Sequence, residues 1–443
     1  MAIDTIALRG HTRVLSHDSL RGRGTGDPGT RVAAEYIAAQ CRAHGLAPVG
    51  ASYFHAVPLA DAGLDAKSTV IVQGSDHVVL THGRDFLVTG GDLATLGVVR
   101  QGRAVWLGDP DSLPAALPTL GDVIGVTAGV PDHPLATRLA ASGVLAVVAL
   151  LGDNATLRRY GDAYGVPLRF VDPAPSSFFA PIPVVVGGAR LTQALLPVVR
   201  GGELSVSVRL QPAPQPVEAV NVACKLRGTD PARADTAIAY TAHYDHLGVR
   251  QPVDGDSIYN GFSDNAAGVA MLLGIAKAWR GEGGPRHTVL FLFFAAEERG
   301  LLGSDWWVAH PPWPLAQTRA VINLDAGAPP APVINWRLAG GTASWLGALG
   351  RDVAEARGWT AVFSEPRANS DYFPFHRRGV PAVFPIPTPA PYEGMTEEQS
   401  QALRRRWDRY HHPGDHWSAD FPFTGLARYA EYAWRIGQAV DRR

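Results

Sequence analysis

Lysine is nearly missing from this sequence. Only Lys67, Lys225 and Lys277 occur among 443 residues, so arginine carries almost all of the 40 basic charges. Forty-one acids balance them, and the formal net charge is −1. That balance excludes the basic footprint of a nucleic-acid or anionic-membrane binder, so neither is expected as a partner. The arginine excess reads as compositional bias, not as a surface. Cysteine is just as scarce, with Cys41 and Cys224 alone. Two thiols make no disulfide framework and no cysteine-rich metal site, and they are expected to serve as buried hydrophobes. Long apolar runs are absent: VLAVVALL (144–151) is too short to span a bilayer. The stretch MAIDTIALRGHTRV has no basic start followed by an apolar run, so no signal peptide is expected. A soluble chain follows. Its compartment stays open, with secretion or the periplasm available if a leader has been removed, and its oligomeric state is not legible.

What is present is a globular composition, 46% hydrophobic and 18% charged, on a chain long enough for two domains. TRVAAEYIAAQCRAHGL (30–46) spaces its apolar residues as a helix that stops at Gly45. From about 67 to 210 the texture is that of strands. STVIVQG, HVVLTHG, RAVWLG, DVIGVTA, LAVVALL, IPVVVGG and LSVSVRL are separated by Gly, Pro, Asp and Asn, with one helix expected near 133–142. The proline-rich QPAPQPVE (211–218) reads as a joint. Beyond it strands and helices alternate. TAIAYTA (236–242), TVLFLFFAA (288–296), AVINLD (320–325) and VPAVFPI (380–386) are strands; 263–279, 342–358 and about 424–440 are helices. Strands apolar on both faces, interleaved with helices, indicate an α/β sheet covered on both sides. The expected architecture is a mixed central sheet flanked by helices (1–65 plus 218–443), with a mostly β insertion (67–215). No internal repeat is apparent.

Three of the predicted strands of the second half end in residues of metal-binding type. The strand 236–242 runs into His243-Tyr244-Asp245-His246, 288–296 into Glu297-Glu298, and 320–324 into Asp325; the helix at 265 opens with Asp264, and a later loop holds His411 and His412. Open α/β sheets bind ligands beyond the carboxyl ends of their strands, a rule that would gather these groups at one edge. Singly each has a plain alternative: Asp264 an N-cap, Glu297–Glu298 a helix start, Asp325 a turn residue. Together they would bury many unpaired charges, which is costly. Imidazole and carboxylate without thiolate suit Zn²⁺ or a divalent ion of similar hardness. His243, Asp264, Glu298, Asp325 and His411 are too many for one open tetrahedral site and suit two ions sharing a carboxylate. An adjacent unligated carboxylate can then take the proton of an activated water.

The segments AHYDHLG (242–248), GDSIYNGFSDNAAG (255–268), AAEERGLLGS (295–304), NLD (323–325), SDYFPFHRRGVPAV (370–383) and YHHPGD (410–415) resemble the dinuclear zinc aminopeptidases of peptidase family M28. Residues 15–50 are similar to the opening of those enzymes, and the middle segment resembles the protease-associated (PA) domain often inserted in them. The resemblance implies two Zn²⁺ per chain, a peptide substrate, and hydrolysis of amino-terminal peptide bonds by a bridging hydroxide. It assigns His243 and Asp325 to one zinc, Glu298 and His411 to the other, and Asp264 to the bridge. Glu297 becomes the general base, Asp245 the partner that hydrogen-bonds His243, and the Asp264–Asn265 peptide is expected to be cis. Tyr372 stands where such enzymes often have His, and Tyr392 lies on a long segment, 387–409, expected to form a lid; both are candidate substrate contacts. His246 is expected to play a supporting or structural part, and His412 competes with His411 for the ligand role. On the same fold, a carboxypeptidase or dipeptidase would need a cation for the substrate carboxylate, with Arg299, Arg337, Arg367, Arg377 and Arg378 near the motifs. A glutaminyl cyclase would hold one zinc, and a receptor-like scaffold would have lost ligands that are all present here. The insertion is expected to act as a lid or access domain, with His77, His82 and His133 scattered in loops.

Overall fold

A computed structural model describes residues 3–443 apart from Gly165, Pro173, Pro175, Ser177, Phe178 and Ala390. Met1 and Ala2, at the start of the N-terminal stretch, and Ala390, within 387–409, lie outside the described residues. The chain divides into two compact units, Met1–Val57 with Glu218–Arg443, and Pro58–Val217. The break falls before the expected 65/67 boundary for a local reason. Leu59–Asp61 is a strand that pairs with Leu168–Phe170 and with Pro216–Val217, both in the second unit.

The first unit is built on a nine-stranded mixed sheet. Its centre is three neighbouring parallel strands, Thr288–Phe294, Ala237–His243 and Thr318–Asn323, in that order. All residues of the first two are buried, which is why they read as unbroken apolar runs. On one face, Ala239, Leu290, Leu292 and Phe294 pack with Trp307, Val308 and Phe375. The intervening Tyr240 and Phe291 stack on each other, and the Tyr240 hydroxyl accepts from Trp279 Nε1 at 3.3 Å and donates to the Trp434 carbonyl at 3.4 Å. Each such large side chain contributes about 1.5–3 kcal/mol by leaving water. The register pairs His243 with Phe294 and Thr241 with Asn323. The first two strands therefore end level and Thr318–Asn323 stops two residues short, and the residues that follow all three emerge at one edge.

The expected helix at 263–279 begins irregularly. Residues 262–266 form a single wide turn with non-helical Asp264 and Asn265 before the regular helix Ala267–Gly281. The Asp264–Asn265 peptide is cis. Further helices run over Thr5–Leu15, Pro28–Ala43, Trp345–Glu355, Glu397–Trp407 and Thr424–Asp441. Among the described residues no helix is long and apolar enough to cross a membrane.

The cysteines depart from expectation. Cys41, on Pro28–Ala43, and Cys224, on the sheet strand Val220–Leu226, are fully buried and joined in a disulfide across 183 residues of sequence. Only tertiary packing brings them together, so neither count nor spacing could announce the pair.

The second unit holds an eight-stranded sheet. Its strands include the seven runs expected from sequence, plus Phe86–Gly90. Besides the expected helix, observed at His133–Ala141, helices occur at Leu93–Leu96, Asn154–Tyr164 and Ala189–Val199. They were hidden by short length, polar composition and, in the last, an internal Pro197.

Candidate metal centre

At the carboxyl edge of the first unit's sheet, six acid and imidazole side chains converge. His243 ends its strand, Asp325 follows Thr318–Asn323, and Glu297–Glu298 follow Thr288–Phe294. Asp264 comes from the irregular turn and His411 from the loop after Glu397–Trp407. His243 Nε2 lies 2.8 Å from Asp325 Oδ1 and 3.1 Å from Asp264 Oδ1. The other Asp264 oxygen, Oδ2, lies 3.2 Å from His411 Nε2, and His411 Nε2 lies 3.3 Å from Glu298 Oε2. One carboxylate thus faces two clusters through its two oxygens.

The spacing fits a metal. Ligand atoms about 2.0–2.1 Å from a tetrahedral zinc stand roughly 3.3 Å apart, close to the four distances above. His243, Asp264 and Asp325 form one group able to hold an ion. A second consists of His246, Asp264 and Glu298. Against the supporting part expected of it, His246 places its Nδ1 2.7 Å from Glu298 Oε1 and 3.8 Å from Asp264 Oδ2. Its buried Nε2 has no hydrogen-bond partner among the described residues. His412 turns away, accepting from Gly414 N through Nδ1 at 2.9 Å.

The electrostatics match a site that wants cations. Burial alone would lower the His243 imidazole, but Asp325 and Glu297 lift it well above the usual histidine range. Burial likewise opposes charge on His411, and the Asp264 and Glu298 carboxylates raise it to about 9. For Asp264 burial works upward, and hydrogen bonds from His243 and His411 win and hold it well below the ordinary carboxyl range. Burial pushes the Glu297 carboxyl well up. Protons on these imidazoles stand where divalent cations would neutralise the same acids. Glu297 keeps its side chain out of ligand distance, with Oε2 4.0 Å from His243 Nε2.

Supporting contacts fix the ligands. The expected hydrogen bond from His243 to the Asp245 carboxylate is not the one observed. Nδ1 bonds the Asp245 backbone carbonyl at 3.1 Å, and the carboxylate stands 3.7 Å away. That carboxylate instead accepts from Thr25 Oγ1 at 2.9 Å and Glu297 N at 3.1 Å, so it braces the Glu297 backbone. A buried relay missed by sequence reasoning runs from Thr241 Oγ1 to Asn323 Oδ1 at 2.6 Å, from Asn323 Nδ2 to Ser370 Oγ at 2.6 Å, and from Ser370 Oγ to Asp325 Oδ2. Asn265 donates to Leu324 O at 3.0 Å and accepts from Gly268 N, where a Cβ would collide with both Asn265 and Leu324. The glycine of SDNAAG was the available clue.

The two candidate substrate tyrosines lie elsewhere. Tyr372 is fully buried, its ring packs with Phe384, and its hydroxyl accepts from Arg367 N at 2.8 Å. Tyr392 is also buried, and its hydroxyl accepts from Arg404 Nε at 3.1 Å. Arg404 also donates to Thr388 O and Pro389 O, so this part of 387–409 folds on itself. Neither side chain joins the cluster, because apolar packing and local hydrogen bonds claim both.

Comparison with known proteins fits this geometry. Residues 221–436 match the family model for peptidase family M28. A probable leucine aminopeptidase 2 of Aspergillus oryzae is 30% identical over 139 residues, 31% of this chain and 25% of that protein. The aminopeptidase YwaD of Bacillus subtilis is 27% identical over 149 residues, 32% of this chain and 30% of that protein. The chain thus spans less than a third of these curated relatives. Among solved structures, an aminopeptidase from Aneurinibacillus sp. strain AM-1 superposes with a TM-score of 0.56 at 18% identity, covering 99% of this chain and 93% of that one. BSAP, a zinc aminopeptidase from Bacillus subtilis, gives 0.52 at 19% identity, over 99% and 94%. Over residues 221–436, just under half of its length, the chain is thus similar to peptidase family M28.

Proposed function

We propose that this protein is a zinc metallo-aminopeptidase, releasing amino-terminal residues from peptides at a site that holds two zinc ions. The observation that carries the reading is Asp264 facing imidazoles through both oxygens, His243 at 3.1 Å and His411 at 3.2 Å. Asp264 would be shared between the ions, with His243 and Asp325 completing one site and Glu298 and His411 the other. When bound there, zinc supplies Lewis acidity to the scissile carbonyl and lowers the pKa of water. Glu297, beside the cluster but unligated, takes a proton from the attacking water. It delivers that proton to the leaving nitrogen as the C–N bond breaks. Asp245 braces the Glu297 backbone and holds the loop that orients His243. The unit Pro58–Val217 reads as a protease-associated-like insertion; the fold likeness running over 99% of the chain supports that assignment.

A dipeptide free at its amino end and blocked at its carboxyl end tests the reading, assayed beside one blocked at its amino end and free at its carboxyl end, with and without chelator. Cleavage of the first alone, lost with chelator and restored by zinc, is expected. Preference for the N-blocked, C-free dipeptide would transfer the assignment to a carboxypeptidase, and one zinc per chain would contradict the dinuclear site.

A further inference from the structure

Arg23 is among the largest fully buried side chains of the molecule, only 1% exposed, and lies outside every ligand motif. Among the described residues its guanidinium takes no carboxylate. It donates instead to four backbone carbonyls: Nε to Tyr244 O at 2.8 Å, Nη1 to Asn260 O at 2.7 Å and to Leu15 O, and Nη2 to Gly261 O at 2.9 Å. Tyr244 sits between His243 and Asp245. Asn260 and Gly261 open the turn that delivers Asp264.

The same turn is gripped from its amide side by a buried acid. Asp415 accepts from Ser263 N at 3.0 Å through each oxygen and from Asp264 N at 3.2 Å. Its own backbone carbonyl accepts from Phe262 N at 3.0 Å. Asp415 lies four residues beyond His411, on the same loop.

We propose that Arg23 and Asp415 are positioning residues forming a two-sided clamp on residues 260–264, which sets the bridging carboxylate between the two metal sites. The cationic fork consumes the carbonyls of 260 and 261, and the carboxylate and carbonyl of Asp415 consume the amides of 262, 263 and 264. A turn gripped through donors on one side and acceptors on the other is held at five consecutive residues, so Asp264 is presented in one place. Asp415 also ties the loop of His411 to the turn of Asp264, making two ligands of one site a single hydrogen-bonded piece. Arg23 ties the turn to the His243 strand end. Its own carbonyl accepts from His246 N at 3.1 Å, closing the link from the N-terminal segment. The planar fork suits this task where a lysine would not, since an ammonium cannot address four carbonyls in fixed directions.

The inference rests on the dinuclear reading, and zinc affinity in folded protein separates the two. Zinc is removed from purified full-length protein and returned stepwise against a chromophoric chelator, with the melting temperature of the metal-free form recorded. Asp441→Asn is the control. Asp441 also caps two backbone amides, Arg286 N at 3.0 Å and His287 N at 2.8 Å, but before the opposite end of the strand Thr288–Phe294. The control should lose melting temperature and keep both zinc affinities. Asp415→Asn should lose a similar amount and raise the dissociation constant of the second equivalent by about 10–100-fold. Arg23→Lys should weaken both equivalents. If Asp415→Asn behaves like the control, with both dissociation constants within about threefold of wild type, the clamp is overturned. Should Arg23→Lys fail to fold, Asp415→Asn decides alone. A wild type that takes a single ion would end the dinuclear reading, and the clamp would be judged on that ion by the same comparison.

Discussion

Replacing Glu297 by glutamine separates proton transfer from metal holding. The amide is nearly the size of the carboxylate, so the buried site gains no cavity and the ligand geometry is preserved. The backbone bond from Glu297 N to Asp245 Oδ1, 3.1 Å, is also untouched. What is lost is a base and one negative charge 4.0 Å from His243 Nε2. Loss of a positioned general base costs about 10²–10⁴ in rate, or roughly 3–5 kcal/mol of transition-state stabilisation. Removing the charge should loosen zinc at the His243 site, because a unit charge at that distance is worth about 4 kcal/mol at an effective dielectric near 20 before compensation. Steady-state hydrolysis of an aminoacyl-arylamide under saturating zinc, with metal counted on the same sample, reads both effects. A fall in kcat of at least about 100-fold with two ions retained is expected. A kcat within threefold of wild type, with two ions bound, would refute the base assignment.

Asp264→Ala should cost metal as well as rate, because both sites share that carboxylate; two equivalents retained after gel filtration would count against the bridge. Zinc binding should release protons at pH 7. His411 in the metal-free protein titrates at about 9 and His243 well above its usual range, so both carry protons at pH 7 that ligation must expel. Affinity therefore falls as pH drops, and binding heats measured in two buffers of different ionisation enthalpy should differ by at least about two protons' worth; buffer-independent heats would contradict this. Reducing the Cys41–Cys224 bond should destabilise the fold. It closes a loop of 183 residues, worth about 5 kcal/mol on a chain-entropy estimate. A melting temperature several degrees lower in Cys41→Ser is the expected result, and an unchanged one would argue that the thiols are unpaired in solution.

The central strands were legible because burial on both faces leaves no polar alternation, so 237–243 and 288–294 announced themselves as apolar runs. His243, Glu297, Glu298 and Asp325 were legible because each followed such a run, and neighbouring parallel strands carry their ends to one edge; Asp264 and His411 were legible through their motifs. What stayed hidden depends on contacts distant in sequence. Cys41 and Cys224 meet only once the helix packs on the sheet. Arg23 looked like one more arginine in an arginine-rich chain, and nothing in RGRGTG says that its side chain faces inward. His246 lies one residue beyond Asp245, and only the backbone path through that loop turns it toward Glu298. Tyr372 was expected at the substrate because of its place in a motif, whereas packing against Phe384 decides where its ring goes.

Anomalous diffraction from crystals grown with zinc tests the central claim most directly. The account predicts two peaks per chain, about 3.5–4 Å apart, one between His243 and Asp325 and the other between Glu298 and His411, with Asp264 reaching both. A single peak, or two peaks with Asp264 bound to neither, would contradict it.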